Sequence, residues 1–405
     1  MAFLQGLRSS RRAGALLAAL AAVAVLAGPA AGAKQDNVTI TVDTLPIANA
    51  LPMDLGIAKG FFDAQGITIK KQILQSGNDI VLALANHNGD VGYLGYVPMM
   101  IARTQGIPLT VVAASEVEAT SETDNWQNIL VKGSSSIRTP ADLAGKTIAV
   151  NALKGVGEVI IKAALKKVGV NPDSVKLLAL PFPSMRTALN NGQVDAIWTP
   201  EPFLSQGLNL DGDRIVMAPG PVLGKYFPNG GYAALQDWVQ KNPQLATKFR
   251  TAMNQSLTYA QAHPDEILAL LPAGSRNSRL ATWSPLIDRV QLLQLAKYAK
   301  QFGVISTLPN MTQLVPSSVL SGKLLQATIG ANFVTVRLDG RVVTRVPAGK
   351  YTVVVNNLAG KVFKLTGPGV AKKAAAKKGT VSWNVTLSGK YRYAAGKIAR
   401  SFTAR

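Results

Sequence analysis

Apolar positions between residues 38 and 320 switch repeatedly between two spacings. Val38-Thr39-Ile40-Thr41-Val42 reads as a strand, and a helix-like apolar stretch through Met53, Leu55, Ile57, Ala58, Phe61 and Phe62 follows, closed by Gly66. Ile67-Thr68-Ile69 begins the next strand, and Asn78-Asp79 opens a helix carrying Ile80, Val81, Leu84 and Ala85. Val91–Leu94 and Leu109–Ala114 read as further strands. Strands separated by helices of this length predict βαβ units and a mainly parallel sheet.

The pattern is written twice. Ala85-x-x-Asn88-Gly89-x-Val91 returns as Ala188-x-x-Asn191-Gly192-x-Val194, 103 residues later, with Pro98 and Pro200 shortly after each copy. Two copies of a helix, an Asn-Gly turn and a strand predict two similar α/β lobes, since a solenoid needs three or more repeats. Thr139-Pro140 suits the cap and first turn of a helix that Gly145 ends. Lys146–Val150 then enters a strand, and Asn151-Ala152-Leu153-Lys154-Gly155-Val156-Gly157 precedes a helix through Val159, Ile160, Ala163, Leu165 and Val168. A Gly-bearing loop at such a junction offers backbone N–H groups to a ligand, but the loop is neither a Walker sequence nor a dinucleotide fingerprint.

The chain has 405 residues, no Cys and only two His, His87 and His263. Disulfides, Cys-based zinc or iron–sulfur sites, thiol catalysis and a lipid-anchoring Cys are excluded. Gly-x-Ser-x-Gly, His-Glu-x-x-His and phosphate-loop motifs are absent, so no enzyme class is indicated. Both His are read as structural. Arg8, Arg11 and Arg12 precede an apolar run over Ala15–Ala27, and Ala31-Gly32-Ala33 follows the breaker Gly28-Pro29. That order predicts a signal peptide over 1–33 with cleavage near Ala33; the run is short for a bilayer span of about 20 residues. The expected location is periplasmic, cell-surface or secreted.

In this order, "LGIAKGFFDAQGI", "LANHNGDVGYLGYVP", "RTPADLAGKTIAV" and "ALNNGQVDAIWTPEPF" resemble the substrate-binding proteins of ABC importers, in the nitrate/sulfonate/taurine and thiamine-precursor branch. The resemblance covers roughly 37–320. It implies a bilobal type II periplasmic-binding fold, a small-molecule solute held between lobes that close, and delivery to an ABC permease, with no cofactor and no catalysis. The solute it implies is an anion such as a sulfonate or nitrate, or a pyrimidine. The expected lobes are 34–125 with a return over 239–323, and 126–238.

Ligand contacts are expected from loops after strands. Asn49 lies on the first such loop. Ser76 and Asn78 either touch the ligand or cap a helix. Tyr96 and Trp198 either stack on a planar solute or pack in the core. Lys154, beside Gly155, either neutralises an anion or is solvated. Glu201 either binds a basic or hydroxylated group or makes an interlobe salt bridge. Glu116 and Glu118 either line the cleft or face water.

The net charge is +21, and residues 324–405 hold 15 Lys and Arg against one acid, Asp339. Alternating runs such as Val381–Leu387 predict an all-β domain there. Its order of "VPAGKYTVVV", Phe363, "GPG" and "GKYRY" resembles plastocyanin-like cupredoxins. Lys361 and Lys364 stand where that family has its His beside the Phe, and Ala394-Ala395-Gly396-Lys397 where it has Cys and His, so no copper site carries over. The basic tail is expected to contact anionic envelope polymers or lipid head groups rather than nucleic acid, since its Lys cluster lacks interleaved aromatics. The competing function is surface adhesion by a protein whose bilobal part no longer binds a solute.

Overall fold

The computed structural model describes residues 37–405 apart from 120, 225–226, 286, 317–318, 320–323, 339–340 and 378. The expected signal peptide lies outside the described residues.

The first lobe is built on β1 (Val38–Thr44), β2 (Ile67–Ile73), β3 (Val91–Gly95) and β4 (Leu109–Ala114). A short strand β5 (Glu116–Val117) leaves it. The second lobe holds β6 (Gln127–Val131), β7 (Thr147–Val150), β8 (Lys176–Ala179), β9 (Ala196–Pro200) and β10 (Arg214–Met217). The chain then returns as β11 (Gly230–Leu235) and later β12 (Thr282–Trp283). Sheet orders are β2-β1-β3-β11-β4 and β10-β6-β9-β7-β8, with β5 and β12 forming a separate pair.

The repeat in the sequence is a repeat in space. β1 pairs in parallel with β2 and β3, and β7 pairs in parallel with β8 and β9. Both copies use the same clasp: Asp90 Oδ2 accepts the Thr41 N–H at 2.8 Å, and Asp195 Oδ2 accepts the Thr147 N–H at 2.8 Å. The second copy carries two more residues between the turn glycine and this aspartate. Its strand therefore starts at Ala196 rather than Val194. In that turn Gly192 is left-handed (φ 72°); in the first copy the left-handed residue is His87 (φ 56°).

Two expectations are corrected. The sheets are mixed: β11 runs antiparallel between β3 and β4, and β6 and β10 are antiparallel in the second sheet. Residues 230–238 belong to the first lobe rather than the second. Every residue of β11 is buried, and its two ladders satisfy backbone groups that β3 and β4 would otherwise leave open. The lobe-to-lobe crossings are thus 115–126 and 218–229.

From Leu324 on, two five-stranded sheets enclose a second core. The strands are β13 (Leu324–Ile329), β14 (Val334–Leu338), β15 (Arg341–Val342), β16 (Arg345–Val346), β17 (Gly349–Asn357), β18 (Phe363–Gly367), β19 (Val370–Ala374), β20 (Gly379–Leu387), β21 (Gly389–Ala395) and β22 (Ile398–Ala404). The orders are β15-β14-β13-β17-β20 and β16-β22-β21-β18-β19. Leu325, Val336, Val353 and Leu387 from one sheet meet Phe363, Leu365, Tyr391, Tyr393 and Phe402 from the other. Strict alternation gives each sheet one apolar face. This core is separate from the cluster that runs through both lobes.

Candidate functional site

A cavity of about 40 Å³ lies between the lobes. On the measure by which roughly 10–15 Å³ holds one water, it takes a compact ligand group. The first lobe and the crossings supply Leu45, Ile47, Gly77, Tyr93, Gly95, Pro98, Glu116, Trp126 and Asn229 to its wall; the second lobe supplies Gln127, Asn151, Ala152, Gly155, Val156, Phe182, Trp198 and Pro200. Among the described residues no Lys, Arg or His lines it, and Glu116 is the one carboxylate that does.

The lobes are in contact around this cavity. The Ala48 N–H donates to the Glu201 carbonyl at 2.9 Å. Asn78 Nδ2 donates to the Leu153 carbonyl at 3.3 Å across the rim. A methyl group on Gly95 would lie 2.3 Å from Val156 Cγ2, so only glycine permits this approach.

Glu116 sits on β5, opposite Trp283 of β12. It is 2% exposed, and its Oε2 has no hydrogen-bond partner. Burial pushes its carboxyl up from 4.5 to about 7, opposed by Ser115, Tyr93 and Asn49 close by. The Asn49 amide stands beside this carboxyl without completing a well-shaped bond, so its Nδ2 and Oδ1 both lack partners. Trp198 Nε1 is likewise buried and unpartnered. Buried polar atoms without partners cost about 1–3 kcal/mol each, so an orphan acceptor, Glu116 Oε2, and an orphan donor, Trp198 Nε1, on the wall of one cavity leave groups there for a polar ligand to satisfy.

Glu118, the second carboxyl on this crossing, is engaged through one oxygen, while its Oε2 is buried without a partner. Its Oε1 accepts from Gln127 and, at 2.8 Å, from Asn229 Nδ2. Burial pushes it up to about 8, and the Glu116 charge adds to the shift. Gly220 packs over it, where a Cβ would stand 2.1 Å from Oε2.

Two helices start at the cavity. Gly77–Ala85 is capped by Ser76, whose Oγ accepts the Asp79 N–H at 3.2 Å. Val156–Lys167 has Gly155 as its N-cap with no side-chain cap. Their first N–H groups carry the positive end of the helix dipole.

The expected site residues divide as follows. Gly155 and Trp198 line the cavity, and Asn49 lies one layer beneath it. Ser76 is a helix cap, and Asn78 is an exposed bridge between lobes. Tyr96 is not at the ligand face: it opens the helix Tyr96–Thr104 and is buried with its hydroxyl against Gly231. Tyr93, three residues earlier on β3, takes the cleft position instead. Lys154 is exposed and left-handed (φ 55°), with its N–H donating to Glu158 Oε2 at 2.8 Å. Its ammonium group is therefore no part of the cavity wall. Glu201 is not in the cavity wall and, among the described residues, makes no salt bridge. Its two oxygens accept from the Ser205 N–H and Oγ, Ser278 Oγ and the Arg279 N–H at 2.9–3.0 Å, joining the second lobe to the segment that leads into β12. His263 stacks on Tyr259 at 3.8 Å. Sequence reasoning had no signal for Trp126, Gln127, Phe182 or Asn229, which meet only through tertiary folding.

The family model described as "NMT1/THI5 like" matches residues 48–267. The taurine-binding periplasmic protein of Escherichia coli K12 is 29% identical over 258 residues, 62% of this chain and 72% of that protein. The nitrate/nitrite binding protein NrtA of Nostoc sp. is 24% identical over 228 residues, 53% of this chain and 52% of its own length. Among solved structures, the alkanesulfonate-binding protein SsuA of Xanthomonas axonopodis pv. citri bound to MOPS superposes with a TM-score of 0.56 at 20% identity, covering 70% of this chain and 98% of that one. The nitrate-binding protein NrtA of Synechocystis PCC 6803 does so with a TM-score of 0.58 at 14% identity, covering 70% and 87%. The two sheets bridged by crossings are thus the periplasmic-binding-protein fold, and the chain belongs to the NMT1/THI5-like family.

Proposed function

We propose that this protein is exported, captures a compact zwitterion carrying an amine at one end and an acid group at the other by lobe closure, and hands it to an ABC permease. The observation that carries this reading is the interlobe cavity lined by the Glu116 carboxyl and, among the described residues, by no basic side chain. A simple anion such as nitrate would meet a buried carboxyl with no cation to offset it, and like charges in a low-dielectric site repel strongly. An ammonium group instead pairs with Glu116. The acid end finds donors in Trp198 Nε1 and in the helix N-terminus at Gly155–Val156, which no side chain caps, the kind of backbone site that takes anions without a Lys. Taurine, the ligand named for the 29% identical relative, is of this class. The plastocyanin-like reading of the tail belongs to the same proposal and is supported by its two sheets around one core.

Isothermal titration with taurine, β-alanine, ethanesulfonate and nitrate tests it. Taurine or β-alanine is expected to bind, and the two amine-free anions are expected to bind at least tenfold more weakly. Ionised Glu116 is the form that pairs with an ammonium, so affinity should fall as pH drops below about 7. Each pH unit below that point costs about 1.4 kcal/mol, a factor of ten. Nitrate or ethanesulfonate binding as tightly as taurine, with no pH dependence, would sink the reading.

A further inference from the structure

The outer face of the second tail sheet is cationic by construction. On β18 the residues alternate Phe363 in, Lys364 out, Leu365 in, Thr366 out; on β21 they alternate Lys390 out, Tyr391 in, Arg392 out, Tyr393 in. Cross-strand register places Lys364 directly opposite Lys373 of β19, and Thr366 and Ser401 on either side of Arg392. Like charges directly opposite one another in a sheet destabilise it, and no described residue of the tail is an Asp or Glu that could offset them.

The face is also shaped. Two depressions of about 500 and 570 Å³ adjoin along it and share Thr366 and Arg392. Lys364 and Lys373 line the first; Lys390, Arg400 and Ser401 line the second. Alternate residues on a strand are about 6.6 Å apart and neighbouring strands about 4.8 Å apart. A chain of closely spaced charges can therefore meet successive cations while crossing from one depression to the other.

We propose that this face binds a linear phosphate polymer. Arg392 supplies a planar fork, and Thr366 and Ser401 add hydroxyl donors beside it, a set suited to phosphate oxygens. A bilayer is the poorer occupant: the outward positions between the cations are Thr366, Ala371, Ala394, Ala399 and Ser401, with no large apolar side chain to insert. A nucleic acid is poorer too, since the outward positions offer no aromatic ring for stacking.

The chain from residue 34 on, which keeps every described residue, is titrated against end-labelled inorganic polyphosphate over a range of salt. The face variant carries Lys364→Gln, Lys373→Gln, Lys390→Gln and Arg392→Gln. A control variant carries Lys70→Gln, Lys176→Gln, Lys297→Gln and Lys300→Gln, exposed lysines elsewhere, with the same change in net charge. The face variant should bind at least about tenfold more weakly, with a salt slope shallower by about 3 log units per log unit for four lost phosphate contacts. The control should stay within about twofold of the unmodified chain. A second measurement needs no variant: polyphosphate should protect Lys364, Lys373 and Lys390 from acetylation and leave Lys70 and Lys176 reactive. Equal losses in both variants, protection elsewhere, or tighter binding to phosphatidylglycerol vesicles or single-stranded DNA would overturn the proposal. Solute binding by the lobes is read separately, so either proposal can fail alone.

Discussion

Replacing Glu116 with Gln should make the empty protein more stable and leave it unable to hold its solute. The carboxyl titrates at about 7 in the folded chain against an ordinary value of 4.5. Below pH 4.5 it is protonated in both folded and unfolded states and costs nothing. Between 4.5 and 7 the folded state keeps a proton that the unfolded chain releases, so the residue's unfavourable contribution grows with pH and is complete above 7. A displacement of two to three pK units at 1.36 kcal/mol per unit is about 3 kcal/mol at pH 8, and under about 1 kcal/mol at pH 5. Gln keeps the shape and an acceptor for Tyr93 and Ser115 while removing the charge. Urea unfolding followed by tryptophan fluorescence should show Glu116→Gln more stable than the parent at pH 8 by about 3 kcal/mol and close to it at pH 5. Taurine titration at pH 8 should show affinity lost. A variant less stable at pH 8, or stabilised equally at both pH values, would refute the assignment of Glu116 as a buried charge awaiting a partner.

Removing the rim bridge with Asn78→Ala deletes one exposed hydrogen bond worth about 0.5–1 kcal/mol; solute release in stopped flow should quicken by about two- to fivefold, with stability lowered by no more than about 1 kcal/mol. Glu201→Ala strips an acceptor from four donors and should cost about 3 kcal/mol or more in urea unfolding. Gly157→Ala places a methyl 2.6 Å from Trp198 Cε3. It should cost about 1–3 kcal/mol and displace the indole, seen as a changed Trp198 emission and weaker solute binding.

The lobes were legible because each copy of the repeat is local. The Asn-Gly turn, its helix and its strand lie within about a dozen residues, and the Gly155 loop announces a strand-to-helix junction by its glycines. β11 was not legible as a first-lobe strand, because an all-buried run such as Gly230–Leu235 carries no mark of direction or partner. Lys154 and Tyr96 show the limit of reading side chains from loops. Both sit next to residues that do line the cavity, Gly155 and Gly95, and a shift of one position turns the side chain elsewhere. Tyr93 and Trp198 lie on strands, where alternation sets their direction, but which sheet face becomes the cleft depends on how the lobes meet.

Glu116 holds two positions at once: its side chain is in the cavity wall, and its backbone is on the crossing strand paired with β12. Points near a pivot travel least when two bodies swing apart, whereas Asn78 and Leu153 at the rim travel furthest. Under the proposed closure, the Glu116 carboxyl therefore keeps its place as the lobes part, and a solute would dock there before the rim meets over it. On that reading arrival would be set by diffusion to a standing contact, and residence time by the Glu116 pair together with the rim.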